Sequence, residues 1–208
     1  MSSSFDIYPS TAFVPSAGEL EDEIARLLLT DRARRVTREA LAGHDLTAPS
    51  PRCEIVAEGT PPARLHDPTA PLTFGGMSRL GVTLPGTRAD VPLRMSDSEI
   101  TPHHATLIDA RREDIAARGA TTSFDFESAK GIGWSWDVSI ELPQPFSGRL
   151  LTGYVVAALA RLTGGLIDSF DGAGDRMRLP CEPDDLLSWY PEWLDAQYRD
   201  VDASPHPG

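Results

Sequence analysis

Lysine is almost absent from this chain: Lys130 is the only one, and arginine supplies the rest of the positive charge. Cysteine is nearly as scarce. Cys53 and Cys181 lie far apart, which excludes a paired metal-ligand motif and a disulfide-dense scaffold and points to a reduced, cytoplasmic protein. Arg52 is the one basic residue adjacent to either thiol, so both are expected to be free structural cysteines rather than activated nucleophiles. No apolar run approaches the roughly 18 residues that a membrane span requires. The opening Met1-Ser2-Ser3-Ser4-Phe5-Asp6 has neither the basic nor the apolar region of a signal peptide. No G-x-S-x-G occurs, so the nucleophile elbow of a serine hydrolase is missing.

What is present is acid. The net charge of −12 sets the whole-protein field against a phosphate backbone, which argues against nucleic acid and favours a basic protein partner. With 208 residues, 40% hydrophobic and 24% charged, the composition is globular and the length suits one domain.

Phe5-Asp6-Ile7-Tyr8 alternates before Pro9 and predicts a short first strand. Ser16 and Glu19 have capping-box spacing, and Leu20, Ile24, Leu27, Leu28, Val36 and Leu41 recur at helical spacing. A helix over about 16 to 42, broken near Asp31, follows. Residues 44 to 70 are rich in Pro, Thr and Ala around one strand, Arg52 to Ala57. Leu72-Thr73-Phe74 and Arg79 to Leu84 read as strand, and Val91, Leu93 and Met95 as an edge strand because of Pro92. Thr101-Pro102 opens a second helix closed by Gly119.

The strongest alternation runs from Ile132 through Trp134, Trp136 and Val138 to Leu142. Phe124 and Phe126 alternate just before it, which predicts a hairpin over 121 to 142 turning at Glu127–Gly131, with both Trp inward. A third helix starts near Ser147 and is followed by a short strand, Leu166 to Phe170. A last, aromatic-rich helix begins at Pro183, with Pro191 inside it as a kink site. Helices separated by strands and hairpins predict an α+β fold: two layers, a mainly antiparallel sheet, and helices packed on one face. A single domain over 1–200 and a flexible tail over 201–208 are expected.

Two stretches invite a chemical reading. In GGLIDSFDGAGD (164–175) the glycines follow a helix instead of preceding one, opposite to a phosphate loop. Asp168, Asp171 and Asp175 lack the alternating oxygens and closing glutamate of a calcium loop, so the segment is expected to turn the chain and to bind no metal. His103 and His104 point about 100° apart on a helix and cannot form the i, i+4 pair of a zinc helix. One of them, with Asp109 or Asp137, remains an alternative acid–base pair for a small hydrolase.

Two segments carry a family resemblance. One is Phe5-Asp6-Ile7-Tyr8 before a capped helix. The other runs from Tyr154 through Thr163, ends in Gly164-Gly165, and continues into Leu166-Ile167-Asp168-Ser169. This layout resembles small α+β immunity proteins of bacterial polymorphic toxin systems. The resemblance implies a cofactor-free, non-catalytic inhibitor that blocks a toxin by docking on it. It transfers no site residue, since such proteins act through surfaces. Independently, the acidic charge suits docking on a basic protein. The candidate interface is Glu19, Glu21, Asp22 and Glu23 on the first helix with Asp184, Asp185, Glu192, Trp193 and Asp195 on the last.

Overall fold

A computed structural model describes residues 3–57, 63–73, 79–85, 93–97, 102–140 and 144–202. In chain order the elements are β1 (Ser3–Tyr8), α1 (Ala17–Asp31), α2 (Arg35–Ala40), β2 (Arg52–Ala57), β3 (Ala63–Leu65), β4 (Arg79–Thr83) and β5 (Leu93–Asp97). They continue with α3 (Pro102–Ala117), α4 (Phe126–Lys130), β6 (Trp134–Ile140), α5 (Phe146–Thr163), β7 (Leu166–Asp168) and α6 (Pro183–Asp202). The fold is α+β. Its strands run in the order β3-β2-β4-β5-β6-β1-β7, every pair antiparallel. Among the described residues Leu80–Leu93 is the pair that joins β4 to β5, linking β3-β2-β4 to β5-β6-β1-β7. Among the described residues no helix is long and apolar enough to cross a membrane.

Local chemistry fixes the helix ends. Ser16 accepts from Glu19 N, and Glu19 returns a bond to Ser16 N at 2.7 Å, completing the capping box that starts α1. The helical pattern breaks after Asp31, and α2 resumes it. Gly164 ends α5 at φ 59, where a Cβ would be strained. α5 is buried nearly all round, with α1 and α6 beside it and the sheet beneath. Phe5, Ile7, Trp136, Val138, Ile140 and Ile167 turn toward this helical layer. A smaller cluster joins Tyr8 and Leu166, on the opposite sheet face, to Ile108 and Ile115 of α3 and Phe124 and Phe126. α3 and α4 therefore cover one corner of the second face.

Four local expectations change. Residues 121–142 do not form a hairpin. Asp125 caps a helix instead, its Oδ1 accepting from Glu127 N and Ser128 N at 3.1 and 3.0 Å, and the presumed turn becomes α4. β6 then pairs with β1 and β5. Trp136 is fully buried as the alternation requires, with Trp134 half-buried edge-on against it at 4.4 Å. β5 is an interior strand, held between β4 and β6; Pro92, the basis for the edge reading, lies outside the described residues. Leu72 is not in a strand: its N donates to Pro15 O at 2.9 Å, packing the loop beneath α1, and Phe74 lies outside the described residues. At the C-terminus α6 reaches Asp202, into the expected tail, and 203–208 fall outside.

Gly153 sets the approach of α5 to α6, since a Cβ there would lie 2.4 Å from the Tyr190 ring. Gly153→Ala should therefore lower unfolding stability by about 1–3 kcal/mol in a denaturant titration. Gly43→Ala, whose added methyl meets nothing within 4 Å, is the control. Equal stability of the two variants would contradict the close packing. Trp136→Ala should cost about 3–5 kcal/mol by the same measurement.

Candidate functional site

The alternation that sends Phe5 and Ile7 into the core sends Asp6 to the opposite face. There the register places Asp6 beside Asp137 of β6 on one side and Asp168 of β7 on the other. Three carboxylates thus stand in line across three adjacent strands, an arrangement that disfavours full ionisation because like charges directly opposite repel.

Each aspartate has a different environment. Asp168 is buried, and Arg111 Nε lies 2.5 Å from its Oδ2. Asp137 accepts from Ser139 Oγ at 2.8 Å. Arg94 of β5 is opposite Asp137 in register, and its side chain is outside the described residues. Asp6, half-buried, has no hydrogen-bond partner for its carboxylate among the described residues. Its pKa is pushed up to about 7, first by burial and then by Asp137, Asp168 and Asp171, with Arg111 opposing. Burial likewise raises Asp168 despite Arg111, and raises the Tyr8 hydroxyl at the end of the row. Asp171 closes the far side by accepting from Ser4 N at 2.8 Å. The raised Asp6 therefore exchanges its proton near neutral pH.

Packing and local hydrogen bonds account for the loop 164–175. Gly164 and Gly172 adopt positive φ, whereas Gly165 does not; its Cβ would meet Ile7 Cγ2 at 3.0 Å, so it is there for close packing. Asp168 and Asp171 make the contacts above, and Asp175 Oδ1 accepts from Met177 N at 3.0 Å. The loop turns the chain, and its carboxylates also hold it to β1 and α3. No group of three His, Cys, Asp or Glu among the described residues is arranged to hold a metal ion. Cys53 and Cys181 are free and buried, and burial raises both thiols.

The acidic helices are largely neutralised from within. Glu19 is committed to the cap of α1. Glu21 Oε1 accepts from Cys53 N at 2.6 Å and faces His66 Nε2 at 3.0 Å. Glu23 pairs with Arg26 and, at 3.8 Å, with Arg161, which also holds Asp184. Arg161 thereby brings the two predicted clusters together. Glu192 pairs with Arg34 at 2.7 Å and Asp195 with Arg35 at 3.0 Å, tying α6 to α2. Trp193 is half-buried and stacked on Tyr190 at 5.9 Å. Asp22 and Asp185 alone of the nine stand exposed without a side-chain partner among the described residues. His104 is buried, with Nε2 3.3 Å from Ala129 O, where it joins α3 to α4; the side chain of His103 lies outside the described residues. Asp109 is engaged by Lys130 at 2.6 Å.

Comparison with protein-family models, curated proteins and solved structures found no match. From sequence Asp137 is weighed as a partner for a histidine and Asp168 as a loop carboxylate, Asp6 is not singled out, and nothing groups the three as a row. Its only trace there is an aspartate at an outward slot of three separate alternating segments, and nothing local says that those segments are neighbours.

The raised Asp6 has a signed consequence. Asp6 binds its proton more tightly folded than unfolded, so this contribution to stability is fully present below the ordinary carboxylate range. It is lost as pH rises through about 7. Asp6→Asn should thus be more stable than the parent at about pH 8, by about 1 kcal/mol for relief of cross-strand repulsion. The difference should shrink toward about pH 4. Paired thermal melts across pH check it, and a difference independent of pH would contradict the assignment.

Proposed function

We propose that the chain is a non-catalytic, cytoplasmic protein-binding module that recognises a basic partner, in the manner of an immunity-type inhibitor. The observation that supports this is the aspartate row. Asp6 and Asp137 lie half-buried on the sheet face that the main helical layer leaves uncovered, and Arg111 is committed to the Asp168 end. An arginine or lysine of a partner, laid across Asp6 and Asp137, relieves their repulsion and forms charge-assisted hydrogen bonds. The charge of −12 draws such a partner from a distance and raises its association rate. Asp22 and Asp185 extend that field, while the other helix carboxylates act chiefly within the fold.

Binding a cation at Asp6 favours its ionised form, so association releases a proton and tightens as pH rises through about 7. The test is capture of proteins from the native host on the immobilised chain, at low and moderate salt and at about pH 6 and pH 8. A basic protein should be retained by the parent, more tightly at the higher pH. It should be released roughly tenfold faster from an Asp6→Asn, Asp137→Asn variant that folds normally. Retention unaffected by this variant would reject the row as the recognition face. An enzymatic activity abolished by His103→Ala or His104→Ala, with no captured partner, would replace the binder with the hydrolase alternative.

A further inference from the structure

A cleft of about 380 Å³ opens beside the end of the aspartate row, between the second half of α3 and the loop 169–180. Its charge is opposite to that of the chain: Arg111, Arg118 and Arg176 line it against Asp114 and Asp168, leaving one positive charge in excess. Its outer wall is apolar, and Phe170 and Met177 there are 53% and 80% exposed, among the largest apolar exposures of the described residues.

Of the arginines, Arg118 builds the cleft; among the described residues Arg176 keeps two donors unused, and Arg111, held at Asp168 and Asp114, keeps one. Arg118 donates from Nε to Asp114 O at 3.3 Å, from Nη1 to Met177 O at 3.4 Å, and from Nη2 to Pro180 O, fastening the loop to α3. Arg176 donates from Nη2 to Phe170 O at 2.5 Å, and its Nε and Nη1 have no partner among the described residues. Arg111, more than nine-tenths buried, forms the inner wall. Its Nη1 donates to Asp114 at 3.2 Å, and its Nη2 makes no well-aligned hydrogen bond among the described residues. A buried, under-satisfied guanidinium is costly to maintain. The half-exposed Phe170 ring lies over the guanidinium, with its centroid 4.3 Å from the guanidinium carbon.

We propose that this cleft binds a small carboxylic acid with an apolar body, its carboxylate on Arg111 and Arg176 and its hydrocarbon against Phe170 and Met177. The class follows from charge and shape. One excess positive charge suits a monoanion, whereas a phosphate dianion meets Asp114, Asp168 and the repulsive field of the whole chain. Two guanidinium forks match the planar carboxylate. The volume lies within the range of small-ligand sites and exceeds what a bare carboxylate fills. The proposal is independent of the basic partner, which would use the neighbouring sheet face.

The test is an NMR titration of the full chain with 3-phenylpropionate, its neutral amide and inorganic phosphate as separate probes. Phenylpropionate should shift amides within 111–118 and 168–180 at millimolar concentration and raise the thermal midpoint. The amide and phosphate should do neither. Arg176→Gln, an exposed change that leaves the unliganded midpoint near the parent's, should weaken binding roughly tenfold. Phe170→Ala serves as a second variant and should weaken binding through lost apolar contact. Binding of the amide as tightly as the acid, preference for phosphate, unchanged affinity in both variants, or no shift at all would each overturn the proposal. A short peptide ending in phenylalanine that binds more tightly than the free acid would overturn small-molecule occupancy.

Discussion

Because β1 is hydrogen-bonded to β6 on one edge and β7 on the other, each of its central residues faces two neighbours at once. Strand alternation passes that pairing to both sheet faces. Ile7 meets Trp136 and Ile167 on one side, and these pack under α5. Asp6 meets Asp137 and Asp168 on the other. The same register that completes the core therefore assembles the row of carboxylates, and neither can be altered alone. A slip of one residue in β1 would bury Asp6 beneath α5 and expose Phe5 and Ile7.

The row persists because its charge is handled unequally along its length. At the Asp168 end Arg111 supplies a cation from α3, so the buried carboxylate has a partner and the second helical pair gains an anchor on the sheet. Removing one member of such a pair strands the other in a poorly solvated site, which is far costlier than the pair is stabilising. Asp6 has no comparable partner among the described residues, and burial and the neighbouring carboxylates raise its pKa. A sheet built only for stability would place a small polar residue there, as at Ser4 and Ser139 in the same face. The repulsion retained at Asp6 is the feature that a cationic partner would exploit, since it is relieved only on binding.

Much of the scaffold was legible because its signals are local. The capping box at Ser16, the left-handed Gly164 and the alternation of β6 each follow from residues within a few positions of one another. The failures were of two physical kinds. Around Asp125 two local signals competed, alternation of Phe124 and Phe126 against an N-cap, and the cap won because α4 could pack both rings onto α3. For β5 and for the aspartate row the information is in long-range pairing. Asp6 and Asp168 are joined by a register that no window of sequence contains. The helix carboxylates show long-range pairing of another kind. Their spacing is that of an exposed acidic face, yet the arginines that neutralise several of them come from other helices.

Asp168 belongs to both the row and the cleft, and it sets the boundary between them. On its β1 side it adds negative charge to Asp6, and on its α3 side it orients Arg111. A cation drawn toward the row meets Asp137 and Asp6 before it reaches the ion pair. An anion entering over Phe170 meets Arg176 and the outer face of Arg111. Two surfaces of opposite sign can thus lie side by side without one cancelling the other, because the short Arg111–Asp168 contact confines the exchange of charge to a buried position. An occupant of the cleft would compete with Asp168 for Arg111 and shift negative charge toward Asp6, which makes that ion pair the one physical route by which the two surfaces would sense each other.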